Sequence, residues 1–156
     1  MIIQKLQQFG KNLLHAETSV CTLARSTCLG IFIAFSPFVG LHTLMAVGLA
    51  WLLSFNITVT LMVSCLINNP WTMVPVYGCG YLFGKWVCCF WDVNIIMPQV
   101  FLSFFEPLGS SLGFSSHAIW VFFIGGNILS LLLAISMYFP IRYLFERFIE
   151  KEAQYR

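Results

Sequence analysis

Residues 57–84 read ITVTLMVSCLINNPWTMVPVYGCGYLFG, with no charged side chain anywhere in the stretch. An uncharged, mostly apolar run of more than ~18 residues reads as a membrane segment. In its middle stands Asn69-Pro70. Asparagine is a good helix cap, and proline fits the first helical position, where its missing N–H costs nothing. The run therefore divides into an arm at 57–68 (~18 Å) and one at 70–84 (~22 Å). Pro75 falls inside the second arm and should kink it by removing one backbone hydrogen bond.

The run upstream repeats the device. Ser26 to Phe55 is uncharged and is interrupted by Ser36-Pro37. The same logic predicts an arm at 26–35 (~15 Å) and a helix from Pro37 to Phe55 (~28 Å), with Ser36 as its cap. An aromatic follows each proline (Phe38, Trp71), a faint sign of an internal two-fold repeat.

Further out the chain becomes polar. Ile2, Ile3, Leu6, Phe9, Leu13 and Leu14 fall at helical spacing, with Lys5, Gln8, Lys11 and Asn12 opposite. Residues 1–25 are therefore expected to form an amphipathic helix along the headgroup layer, closed by Arg25. With no central apolar run or small-residue cleavage site, this region does not read as a cleaved signal. Residues 85–117 contain Asp92, Asn94, Pro98, Glu106, Pro107, Gly109 and Gly113 and read as an interfacial loop. Ala118 to Pro140 is a clean transmembrane helix, followed by an amphipathic cytoplasmic tail over 141–156.

Composition agrees. Of the residues, 59% are apolar and 9% charged, whereas a soluble domain carries roughly 25% charge. Such a chain cannot cover a water-facing surface with its own polar groups. The expected fold is thus an all-α integral membrane protein, one membrane domain with its motif-bearing core at 26–84. It has two Pro-broken, potentially re-entrant segments, one continuous C-terminal span and amphipathic helices at both ends.

Lys and Arg excess marks the cytoplasmic side. Lys5, Lys11 and Arg25 lie at one end of the chain, and Arg142, Arg147, Lys151 and Arg156 at the other. Both termini should therefore be cytoplasmic, which requires an even number of crossings. Two spans before Lys85 and one after it make an odd number. Either residues 86–105 also cross, or one broken run is a hairpin that returns to its starting side. The hairpin is preferred, because 93–105 is short for a span.

The stretch GIFIAFSPFVGLHTL (30–44), followed by NNPWTMVPVYGCGYLFG (68–84), resembles the prokaryotic domain of unknown function 2062 family. Pro37, Gly40, His42, Thr43, Asn69, Pro70, Thr72, Pro75, Tyr77 and Gly84 fall on its paired motifs. Ala34 departs from them, standing where glycine is frequent. The match is close over 25–85 and less specific beyond. The resemblance implies a bacterial inner-membrane protein, with some relatives carrying a glycosyltransferase module beside this domain. It implies no established reaction.

The chemistry that remains lies at the two breaks. A helix start leaves backbone N–H groups unpaired and carries about half a positive charge. Hydrocarbon cannot satisfy such groups, and paired broken segments are the best sequence pointer to a transporter's binding site. Ser36, His42 and Thr43 at one break would face Asn68, Asn69 and Thr72 at the other, forming a pocket without a carboxylate. It would suit a phosphate or an anionic lipid headgroup. The plainer alternative stays open, with Ser36 and Asn69 as helix caps and His42 bonded to a neighbouring carbonyl. Pro37, Gly40, Pro70, Pro75, Tyr77 and Gly84 read as structural motif positions. Gly80 with Gly84, and Ala46 with Ala50, have the small-xxx-small spacing of packed helices. Arg25 reads as a headgroup anchor.

Other chemistry finds little footing. Cys21, Cys28, Cys65, Cys79, Cys88 and Cys89 show no CxxC spacing, and His15, His42 and His117 are scattered. Neither a metal nor another cofactor is expected. A net charge of +2 is too small for nucleic acid. No nucleophile–base set or carboxylate pair points to an enzyme. The function classes left are a transporter or lipid-translocating protein and a non-catalytic membrane subunit. The subunit would serve a partner such as a glycosyltransferase, or act as a homo-oligomer.

Overall fold

The computed structural model describes residues 19–38, 40–90, 103, 106 and 115–154. Five helices organise these residues: α1 (Val20–Phe35), α2 (His42–Leu52), α3 (Ile57–Ile67), α4 (Pro70–Phe90) and α5 (Ser116–Gln154). Side-chain caps mark several starts. Ser19 Oγ accepts from Thr22 N (3.3 Å), Asn56 Oδ1 from Val59 N (3.2 Å) and Ser115 Oγ from Ala118 N (3.2 Å). Each satisfies an N–H that the helix leaves free.

α1 is the innermost helix. Leu23, Ala24, Cys28, Ile33 and Ala34 are all buried, and the helix packs on α2, α3, α4 and α5. This corrects the expected boundary at Arg25, which lies inside α1 rather than closing an amphipathic helix. The first eighteen residues, where that helix was expected, lie outside the described residues.

α1 and α2 form a helical hairpin. Its tip is Ser36 to Leu41, and the Leu53–Asn56 turn returns the chain to the level of Ser26, whose Oγ accepts from Asn56 N (2.8 Å). α3 then runs parallel to α1. Thr60 Oγ1 donates to the Ser26 carbonyl (3.2 Å), and a Cβ on Gly30 would meet Val63 Cβ at 2.8 Å. α2 packs against both, with Ala46 and Ala50 fully buried.

A helix start at Pro37 was expected; α2 starts at His42 instead. Ser36 is the C-cap of α1, with its N–H donating to the carbonyls of Phe32 and Ile33 (both 3.1 Å). Proline disfavours helical geometry in the residue before it, so here Ser-Pro stops one helix instead of starting the next. The chain needs the rest of the tip to reverse, and Gly40 supplies a left-handed step (φ +83°) that side-chain-bearing residues rarely adopt.

The second break falls where expected. α4 begins at Pro70, Asn69 Oδ1 accepts from Trp71 N (3.2 Å), and Pro75 lies inside the helix. α3 and α4 meet at an angle of 84°.

Two later boundaries move. Lys85 to Phe90, expected as loop, continue α4. Between 91 and 114 only Ser103 and Glu106 are described, and both are helical; Asp92, Asn94, Pro98 and Pro107 lie outside the described residues. α5 begins at Ser116 and passes straight through Pro140, which was expected to end it. A proline removes one hydrogen bond, and nothing after it stops the helix. Arg142 Nε bonds Glu146 Oε1 one turn on (2.8 Å), and Arg147 Nε donates to Tyr143 Oη (2.9 Å). Such i,i+4 pairs favour continuation.

α5 lies antiparallel to both α1 and α4. Against α4 the seam is glycine. A Cβ on Gly84 would strike the Val121 carbonyl oxygen, and one on Gly125 would strike the backbone of Gly80 and Gly84. Only glycine lets the two backbones come this close.

Candidate functional site

The hairpin tip, the α3–α4 break and the middle of α5 converge. Pro37 packs on Gly126, where an added Cβ would meet its ring at 3.2 Å. Phe38 stands edge-on to Phe123 (5.2 Å), and Tyr77 edge-on to Phe122 (5.4 Å). These contacts seat both the tip and α4 against the middle of α5.

A pocket of about 210 Å³ opens beside this junction, lined by Gly40, His42, Thr43, Leu61, Ser64, Cys65 and Asn68. His42 and Thr43 are the first residues of α2, whose N-cap Leu41 gives no side-chain hydrogen bond. The first N–H groups of α2 therefore have no intrahelical acceptor. His42 Nε2–H donates to the Ser36 carbonyl (3.3 Å), which ties the ring to the tip and assigns its tautomer. Asn68 lines the far wall; its Oδ1 is buried, and so is the Tyr77 hydroxyl, which lies behind the pocket within reach of the Asn68 side chain.

Of the residues the sequence singled out, His42, Thr43 and Asn68 share this pocket. Ser36 does not line it with its hydroxyl, which is buried and donates to Asn127 Oδ1 (3.4 Å). Asn69 and Thr72 are exposed and serve the α4 start. Asn69 N donates to Thr72 Oγ1 (3.2 Å), and that hydroxyl reaches the carbonyls of Ile67 and Asn69. Pro37, Gly40, Pro70 and Gly84 shape the breaks and the glycine seam, while Tyr77 faces Asn68. Arg25 lies far from the pocket, toward the outer end of α1.

Asn127 was missed. Its Nδ2 donates to the Phe123 carbonyl (2.7 Å), and its Oδ1 receives Ser36. The available signal was a lone amide in an otherwise apolar span, beside Gly125-Gly126. Ser64 and Cys65 were also missed, because only the fold brings the end of α3 to the hairpin tip. Among the described residues, no group of His, Cys, Asp and Glu is placed to hold a metal ion.

The family model described as an uncharacterized protein conserved in bacteria (DUF2062) matches residues 4–154. The chain belongs to this family. No curated protein and no solved structure matches it. The DUF2062 match extends well past the 25–85 stretch where the motifs are densest. It covers α5 and therefore Asn127 and the glycine seam, which complete the junction.

Proposed function

We propose that this DUF2062 chain is an integral protein of the bacterial cytoplasmic membrane whose junction pocket binds a phosphate-bearing anion, in the manner of a transporter or lipid translocator. In this reading α1–α2 is a re-entrant hairpin, α3–α4 is one broken crossing and α5 is the continuous crossing. Two crossings leave both termini on the cytoplasmic side, in keeping with the Lys and Arg distribution. The hairpin thus removes the odd crossing that the sequence alone produced.

Support for the bilayer comes from α5 and its neighbours. α5 is long and apolar enough to span, yet only 22% of its most apolar window is buried inside the fold. A core helix of a soluble protein would be mostly covered. Leu131, Leu132, Ile135 and Phe139 on α5 are exposed, as are Trp51, Leu82 and Trp86 elsewhere. Lipid is the solvent that tolerates such a surface.

The observation that carries the pocket reading is the meeting of His42 and Thr43, at the uncapped start of α2, with Asn68 at the second break. Unpaired N–H groups, a hydroxyl and an amide offer donors with no competing carboxylate, while the His42 ring, its Nε2–H given to the Ser36 carbonyl, holds the tip against the start of α2. An anion is the matching ligand. This reading includes no catalytic step and no cofactor.

Reconstitution in phosphatidylglycerol vesicles carrying a headgroup-labelled analogue tests it, with dithionite quenching as the readout. Wild-type protein is expected to expose inner-leaflet label, and H42A/N68A to lose most of that activity while inserting normally. Parallel inorganic phosphate uptake separates a lipid headgroup from a free ion. If wild-type vesicles show neither activity, the transport reading falls. A non-catalytic membrane subunit is then the stronger reading, favoured by the α5 extension past Pro140, where Tyr143, Leu144 and Phe148 are exposed among charged residues.

A further inference from the structure

A second cavity, about 450 Å³, lies at the other end of the bundle between α1 and α5. Cys28, Leu29 and Phe32 wall it on one side and Leu131, Ala134 and Ile135 on the other. The antiparallel register set by Ser36 against Asn127 places Phe32 level with Leu131 and Arg25 level with Tyr138. The groove is therefore an apolar trough about 10 Å long, with Arg25 and Tyr138 at its outer rim. Arg142 follows one turn beyond Tyr138, held by Glu146. Arg25 itself is exposed and has no ion pair among the described residues.

We infer that this groove is a binding site for an anionic phospholipid, one acyl chain lying in the trough and the phosphate on the Arg25 guanidinium. Two features together select this occupant. The walls are apolar and open along the bundle surface, which suits a hydrocarbon chain and not a polar solute. The cation stands at one end only, level with Tyr138, where a headgroup would sit if α5 crosses the bilayer. A guanidinium binds phosphate through paired, charge-assisted hydrogen bonds, and tyrosine is at home in the same layer. A second protein helix would match this site only by bringing a carboxylate of its own to Arg25, whereas an anionic lipid carries its charge and its hydrocarbon in this arrangement already. The site is separate from the pocket at the hairpin tip and rests only on the membrane reading.

Native mass spectrometry of the full-length protein in detergent, titrated with palmitoyl-oleoyl phosphatidylglycerol or phosphatidylcholine, tests this inference. Wild-type protein should retain phosphatidylglycerol in preference, since its phosphate charge is not offset by a choline cation. A charge-assisted hydrogen bond of ordinary strength corresponds to about tenfold in affinity or more, so R25Q should lose at least that preference, whereas R25K should keep most of it. A134F, which fills the trough, should weaken retention of both lipids. Circular dichroism melting confirms that each variant is folded. Equal retention of the two lipids by wild type, or retention by R25Q and A134F at wild-type level, overturns the site. So does a co-purified polypeptide that displaces lipid. Failure of vesicle transport leaves this result untouched, so the two readings fall separately.

Discussion

Gly84 and Gly125 approach so closely that any added methyl group would press on backbone, not on a movable side chain. G84A and G125A are therefore expected to destabilise by about 1–3 kcal/mol or more, as overpacked sites do. Gly78 on the same helix has nothing within 4 Å of its virtual Cβ. G78A should be neutral or stabilising by roughly 0.5–1 kcal/mol, since alanine is the better helix former. Melting curves of the three variants in one detergent check the contrast; equal effects would deny the glycine seam. Ser26 provides a second case. It is fully buried and accepts the backbone N–H of Asn56 while donating to the Thr22 carbonyl (2.7 Å). S26A strands that N–H and should cost about 1–3 kcal/mol, read by the same melts. The spacing of Gly80 and Gly84 already marked a packing face in the sequence. Nothing local marked Ser26, because its partner is thirty residues away.

At the scale of elements, each proline acts through what surrounds it. Pro37 and Pro70 both follow a capping residue, yet one lies after a helix end and the other begins a helix. Asn69 is an exposed cap, so N69A should lower stability by about 1 kcal/mol without emptying the pocket. Melting and vesicle activity measured together distinguish it from N68A, which should affect activity first. Pro140 interrupts the hydrogen-bond ladder of α5 in a place that carries no turn. P140L should leave the helix continuous and raise the melting temperature, because an interior proline costs a helix about 3 kcal/mol. A lower melting temperature would show that the proline itself is needed for packing. Pro140 resembled a helix end because the apolar pattern stops there. The helix itself goes on, since backbone bonding does not depend on burial.

For the whole molecule the testable quantity is sidedness. The ends of α1 and α5 that carry Arg25 and Arg142 lie together, while Lys85 lies near the opposite end, beside the start of α5. Single reporter cysteines at Ser19 and Gln154, in a cysteine-free background, should label from the cytoplasmic side, and one at Lys85 from the other. Labelling of positions 19 and 154 from opposite sides would refute the two-crossing arrangement.

The sequence by itself determined that the chain is all-helical and where the second break falls. Long uncharged runs leave helices as the economical way to satisfy a backbone in apolar surroundings, and an Asn-Pro pair states its cap and first helical residue locally. It also placed His42, Thr43 and Asn68 among the polar residues worth watching. Only the tertiary structure decided that the first run folds back on itself, that α1 is the core helix, and that Asn127 meets Ser36. Those outcomes depend on which backbones can touch. Gly30, Gly84, Gly125 and Gly126 permit contact at points far apart in the chain, and packing of that kind is a property of pairs of helices that no single stretch of residues carries.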